Sequence, residues 1–101
     1  MEKVNPIKDN INNKQPSNIE AEQGLIGSIL VNNDIIDEVS NIINPLIFFD
    51  PAHVKIYEII INLNNKGMVA NPITLKNFFE KENMLKDVGG TEYLVKLTRF
   101  S

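Results

Sequence analysis

Hydrophobic residues recur at helical spacing along most of the chain, in short stretches separated by Pro, Gly and Asn. The pattern predicts an all-α fold, a compact orthogonal bundle of about five short helices over residues 17–101. The first predicted helix runs from about residue 18 to residue 31, and five of its residues form one apolar face: Ile19, Leu25, Ile26, Ile29 and Leu30. Residues 1–16 contain too few apolar side chains to offset the cost of ordering, so we expect a flexible tail there.

Capping residues mark where the first two helices begin and end. Ser17 and Glu20 have the spacing of a capping box, in which each side chain satisfies a backbone N–H at the open end of the first helix. Asp34 is the predicted N-cap of a second, shorter helix, which ends before Asn44-Pro45.

The third predicted helix has the clearest ends. Asp50 is its predicted N-cap, Pro51 occupies its first position and Gly67 stops it. Its apolar residues cover more than half of the circumference, so it is the predicted centre of the bundle. Asn71, followed by Pro72, is the predicted N-cap of the fourth helix in the same way.

The fifth predicted helix follows the break at Gly89-Gly90 and places Tyr93, Leu94, Leu97 and Phe100 on one face.

In the first helix, Gly24 and Gly27 lie away from the apolar arc. Glycine lowers the stability of a helix interior by about 1 kcal/mol relative to alanine. Close approach by another backbone is the expected compensation.

Glu22 lies inside the apolar arc of the first helix and has two interpretations. It is either an ordinary charge near the positive end of the helix dipole, or a buried acceptor that ties helix N-termini together. The helical wheel favours the buried acceptor. His53, the only histidine, faces the apolar side of the third helix and is interpreted as a packed or hydrogen-bonded structural residue, since no cluster of metal ligands accompanies it.

Composition narrows the class of protein. A chain of 101 residues with 43% hydrophobic residues supports one modest core, and the absence of cysteine agrees with a reducing compartment, the cytoplasm by default. No apolar run approaches the roughly 20 residues needed to cross a bilayer. The formal net charge of −3 opposes a main role in neutralising nucleic-acid phosphates. We therefore expect neither membrane association nor direct DNA binding by this chain.

The sequence contains no phosphate-binding loop, dinucleotide fingerprint, zinc-protease motif or nucleophile elbow. These absences predict no catalytic residue, no metal site and no cofactor in this chain.

Three stretches in order, "SNIEAEQGLIGSILVNND", "FFDPAHVKIYEIIINLNNKG" and "NPITLKNFFEKENMLKDVGGTEYLVKL", closely resemble the N-terminal domain of the bacterial replicative DNA helicase of the DnaB type. The resemblance implies an all-α collar on a hexameric motor, which helps assemble the ring and receives the helicase-binding domain of primase. It also implies that a helical hairpin and the ATPase domain, with its ATP and Mg, lie outside this sequence. This chain alone should then have no helicase activity.

The resemblance also implies that Tyr93 faces a partner, and Leu97 and Phe100, which share its helix face, are candidate partner-binding residues with it. Spacing alone leaves two other interpretations of these residues, a place in the core or a seat for the hairpin. Two other binding functions stay open for the chain as a whole. One is the helicase-binding C-terminal domain of primase, and the other is a helix-turn-helix DNA-binding module with "ITLKNFFEKENML" as its recognition helix.

Overall fold

The computed structural model describes residues 16–100, and in that part of the chain it contains five α-helices, four short 3-10 turns and no strand. The helices are α1 (Pro16–Val31), α2 (Ile36–Ile42), α3 (Pro51–Asn65), α4 (Pro72–Lys81) and α5 (Gly90–Leu97). The 3-10 turns are Asn33–Ile35, Pro45–Ile47, Lys86–Val88 and Thr98–Phe100. The predicted all-α bundle of about five helices is confirmed. The predicted tail, apart from Pro16, lies outside the described residues.

Helix α1 begins at Pro16, one residue before the predicted N-cap. Ser17 therefore has helical backbone, and the predicted capping box of Ser17 and Glu20 is wrong. Proline has a fixed φ and no N–H, both of which suit the first turn of a helix, so the helix extends back to it. Further along α1, the backbone of Phe100 approaches Gly24, and a Cβ there would lie 3.7 Å from the carbonyl oxygen of Phe100.

Asn32, not Asp34, caps the segment that leads into α2. The side-chain oxygen of Asn32 accepts a hydrogen bond from the N–H of Asp34 at 3.1 Å, so Asp34 lies inside the 3-10 turn and its predicted N-cap role is wrong. Asn and Asp are nearly equal as N-caps, and "NND" offers three candidates in a row. The middle one, Asn33, instead pairs with the backbone of Ala70, accepting its N–H at 2.7 Å and donating to its carbonyl at 3.0 Å.

Helix α3 has the ends that the sequence predicts. The side chain of Asp50 accepts the N–H of Ala52 at 2.8 Å, with Pro51 in the first helical position. At the other end Gly67 takes a φ of 75°, and the N–H of Met68 reaches the carbonyl of Leu63 at 2.9 Å. This is the Schellman arrangement, in which a left-handed residue lets the chain satisfy the last carbonyls of a helix.

Helices α4 and α5 complete the bundle. Asn71 caps α4 by accepting the N–H groups of Ile73 and Thr74, and the hydroxyl of Thr74 accepts the N–H of Asn71. Before α5, Gly89 has a φ of 102°, and a Cβ there would lie 2.7 Å from the Cβ of Tyr93. Glycine at this position therefore allows both the left-handed turn and the close packing of the Tyr93 side chain.

The core is formed by apolar side chains from all five helices and from the loops between them. Fully buried members include Ile26 and Ile29 of α1, and Ile56 and Ile60 of α3. The others are Leu30, Ile36, Phe48, Tyr57, Leu63, Ala70, Leu75, Phe79, Val88, Leu94 and Leu97. Among residues 16–100, no helix is both long enough and apolar enough to cross a bilayer.

Candidate functional site

Three polar side chains lie on the inward faces of three different helices and meet in the interior. Glu22 comes from α1, His53 from the first turn of α3, and Tyr93 from α5. A buried polar group is costly unless it is hydrogen-bonded, so their partners determine whether this is a stable arrangement.

The carboxylate of Glu22 is the acceptor at one end of this set. Its Oε2 accepts the backbone N–H of Phe49 at 2.6 Å, and its Oε1 accepts that of Asp50 at 3.3 Å. Oε1 also lies 2.7 Å from Nδ1 of His53, and 12% of the Glu22 side chain is exposed. Of the two interpretations of Glu22, these contacts correspond to the buried acceptor. Its contribution to stability stays a prediction.

The imidazole of His53 is fully buried and contacts a polar atom through each ring nitrogen. Nδ1 faces the Glu22 carboxylate, and Nε2 lies 2.6 Å from the hydroxyl oxygen of Tyr93. The carboxylate already accepts two backbone N–H groups, so Nδ1 must be the donor toward it. In a neutral imidazole Nε2 is then the acceptor, and the Tyr93 hydroxyl donates to it.

The hydroxyl of Tyr93 receives a further hydrogen bond, from Nε2 of Gln23 at 3.0 Å. The Tyr93 ring stacks on His53, with ring centres 5.9 Å apart and an angle of 8° between the planes. Burial raises the pKa of Tyr93 above its ordinary value, and the negative charges of Asp50 and Glu22 add to this, against a lowering by Gln23. Tyr93 therefore keeps its proton at neutral pH and remains a donor. All donors then point one way, from Gln23 through Tyr93 and His53 to Glu22.

We call these four residues, Glu22, Gln23, His53 and Tyr93, the buried polar chain. A carboxylate, an imidazole and a hydroxyl in this order also occur in hydrolase triads, where the imidazole activates the hydroxyl toward a substrate. Here the imidazole has no exposed surface. One surface cavity lies along the outer side of α5 and another between α3 and α4, and neither of these two borders the buried polar chain. The geometry is that of a structural connection between α1, α3 and α5.

The partner-facing prediction for the last helix is partly corrected. Leu97 is fully buried, so no partner can contact its side chain in this fold, and its predicted role is wrong. Its inward direction follows from the amphipathic pattern of α5, in which Leu94 and Leu97 both enter the core. Phe100 is 38% exposed and Tyr93 is half-buried, and contact of either ring with a partner stays a prediction.

Sequence reasoning did not connect Glu22 with His53, and it missed Gln23. The available signal was that Glu22, His53 and Tyr93 each lie on the apolar face of their own helix. Polar groups on three apolar faces of one small bundle have to find partners in the same interior. Within residues 16–100 no group of three or more metal-ligating side chains lies together.

The fold and this site define a small all-helical domain in which a buried polar chain holds helices in register. The chain belongs to the DnaB-like helicase N-terminal domain family, which matches residues 14–101.

Curated relatives and a solved structure agree with this family. The chain is 42% identical over 86 residues to the replicative DNA helicase DnaB of Rickettsia felis, and 30% identical over 82 residues to the replicative DNA helicase DnaC of Bacillus subtilis. These matches cover 85% and 81% of this chain but 17% and 18% of the relatives, so the chain spans about a sixth of their length. The N-terminal domain of DnaB helicase from Mycobacterium tuberculosis superimposes with a TM-score of 0.78 at 30% identity, covering 82% of this chain and 58% of that structure.

Replacing Glu22 tests the acceptor role. Glu22→Ala removes the acceptor that faces Nδ1 of the buried His53 ring and the N–H of Asp50, so we expect a loss of about 1–3 kcal/mol in unfolding free energy, measured by urea denaturation. Glu22→Gln keeps one acceptor oxygen and should recover part of that loss. Glu20→Ala, an exposed acid on the same helix, is the matched control. A Glu22→Ala protein that is as stable as the parent at low and high salt would contradict the role.

Tyr93 should make stability depend on alkaline pH. Its pKa is raised in the folded state, so its contribution is fully present below about pH 10 and is lost as pH rises through the folded-state pKa. Tyr93→Phe should therefore flatten the fall in unfolding free energy above about pH 10. Tyr57, the second of two tyrosines, also has a raised pKa because of burial, so Tyr57→Phe is measured in parallel. If the unfolding free energies of the parent and of Tyr93→Phe fall in parallel above about pH 10, Tyr93 does not contribute to stability in this way.

Proposed function

We propose that this chain is the non-catalytic N-terminal collar domain of a replicative DNA helicase, with roles in assembling the hexameric ring and in binding primase. The observation that carries the proposal is the family match over residues 14–101, together with the 42% identity to a replicative helicase. In this proposal, ATP hydrolysis with Mg and the gripping of DNA belong to the rest of the helicase. The helicase, and this domain with it, acts in the cytoplasm.

The geometry supports a binding domain better than an enzyme. The buried polar chain uses its hydrogen-bonding groups to join three helices, and His53 offers no surface to a substrate. Surface features instead suit contacts with other proteins, since Ile42, Leu46 and Ile47 lie close together in the sequence and are each about two-thirds or more exposed. Exposed apolar side chains in groups are typical of protein–protein interfaces.

A helix-turn-helix module is the second candidate, and the charges of α4 oppose it. Lys76 lies 3.8 Å from Glu80, so one of the two lysines of α4 is already offset by an acid of the same helix. The helix has no arginine, the residue that most often reads guanine in the major groove. The net charge of −3 opposes DNA binding further.

The proposal predicts saturable binding of this chain to the C-terminal domain of primase from the same organism, measured by calorimetric titration. Phe100→Ala should weaken that binding by about 1–2 kcal/mol if the exposed ring is a contact. Val31→Ala is the matched control, because Val31 is 56% exposed and lies on another helix.

The purified chain should neither hydrolyse ATP nor bind duplex DNA at physiological salt. Absence of primase binding would contradict the primase role. ATP turnover that a point mutation in this chain abolishes would contradict the non-catalytic role.

A further inference from the structure

A groove of about 400 Å³ lies between the end of α3 and helix α4. A volume of this size falls in the range of pockets that hold a ligand. We call it the α3–α4 groove and define it by its apolar and charged lining, which is Leu63, Met68 and Phe78 together with Lys66, Lys81 and Glu82. It shares no lining residue with the cavity along α5.

The apolar lining of the α3–α4 groove is open to solvent. Met68 is 49% exposed, and the half-buried ring of Phe78 packs edge-on against Phe79, with ring centres 5.7 Å apart. Two further apolar side chains, Val69 and Ile73, are 55% and 68% exposed in the same loop and the first turn of α4. Exposed apolar side chains grouped in this way are typical of an interaction site.

The loop that carries Met68 is held from the inside. The side chain of Asn33 pairs with both backbone groups of Ala70, and the N–H of Met68 donates to the carbonyl of Leu63 at 2.9 Å. Asn71 then caps the start of α4. Because the backbone of the loop is already fixed, binding a partner here costs little ordering entropy.

The positive charges of the α3–α4 groove are available to a partner. Among residues 16–100, no carboxylate lies within 4 Å of the ammonium groups of Lys66 and Lys81. Lys76, in contrast, lies 3.8 Å from Glu80. Of the described lining residues only Glu82 is acidic, so two cations face one anion. The groove therefore has a net positive rim in a chain whose net charge is −3.

We propose that the α3–α4 groove binds a short acidic segment of a partner protein that also carries large apolar side chains. The apolar side chains of the segment cover Met68 and Phe78, and its carboxylates meet Lys66 and Lys81. Such a segment matches both the open apolar lining and the positive rim. The inference goes beyond the primase and assembly roles proposed above and concerns a separate surface.

The charges of the lining favour an acidic peptide over a single strand of nucleic acid. Proteins bind single strands through a continuous basic groove and aromatic rings on which successive bases stack. The α3–α4 groove has two lysines, no arginine and one half-buried ring, that of Phe78. Glu82 would also face the phosphates, and the negative net charge of the chain opposes their binding further.

Two labelled peptides of about twelve residues test the proposal by fluorescence anisotropy. The acidic peptide combines Leu and Phe with Asp and Glu, and its matched counterpart has Lys in place of every acid. The parent chain should bind the acidic peptide at least about tenfold more tightly, and the difference should shrink as salt rises. In ¹⁵N NMR spectra the acidic peptide should shift the backbone amides of Met68 and Phe78 and leave that of Tyr93 unchanged.

Reversing the charge of the rim should reverse the choice of peptide. The double variant Lys66→Glu/Lys81→Glu should bind the basic peptide more tightly than the acidic one, a result that loss of structure cannot produce. Met68→Ser removes apolar lining and leaves the rim unchanged, so it should weaken binding of the acidic peptide by about fivefold and keep the preference.

The matched control is the double variant Lys55→Glu/Lys96→Glu. It makes the same two charge changes at exposed positions of α3 and α5 that lie outside the groove. This variant should still prefer the acidic peptide, as the parent does. Each variant is first shown to keep the helical circular dichroism and melting temperature of the parent.

Several outcomes would overturn the inference. They are equal or undetectable binding of the two peptides by the parent, an unchanged preference in Lys66→Glu/Lys81→Glu, and amide shifts that lie outside the groove. A single-stranded oligothymidine that binds the groove more tightly than the acidic peptide would also overturn it, in favour of a nucleic-acid site. The primase titration concerns Phe100, outside the groove, so either proposal can fail while the other stands.

Discussion

The arrangement of this domain depends on the hydrogen bonds that the carboxylate of Glu22 accepts. One side chain of α1 accepts hydrogen bonds from the backbone at the start of α3 and from the imidazole of His53. The imidazole in turn orders Tyr93 of α5. Three helices distant in sequence thus share one chain of hydrogen bonds in an interior where unpaired groups would be costly. Removing the side chain of Glu22 or of Tyr93 leaves one ring nitrogen of the buried His53 without its partner.

The same connection decides which surfaces face outward. Because Tyr93 points inward to His53, α5 turns Val95 and Lys96 toward solvent. Because Glu22 holds the N–H of Phe49, the segment before α3 keeps a fixed path that leaves Leu46 exposed. An interior constraint therefore determines which side chains of α5 and of the connection between α2 and α3 face solvent. Surfaces that are ordered in this way can bind a partner with less loss of entropy.

Local chemistry predicted most of the helices and both clear caps. Asp50 and Asn71 act where the sequence places them, because each precedes a proline that begins a helix. The predicted N-cap roles of Ser17 and Asp34 are wrong because neighbouring residues compete for the same role. Helical periodicity does not resolve a shift of one or two positions. The pairing of Glu22 with His53 could not be read from the sequence, since 31 residues separate them and only the tertiary fold brings them together.

The most direct test is the tautomer of His53, the only histidine in the chain, read from its ring nitrogen shifts in a ¹⁵N NMR spectrum near pH 8. The buried polar chain predicts a neutral ring with its proton on Nδ1, donated to Glu22, and an unprotonated Nε2 that accepts the Tyr93 hydroxyl. Tyr93→Phe should change the Nε2 shift while the proton stays on Nδ1. A ring that carries its proton on Nε2, with a bare Nδ1, would contradict the account.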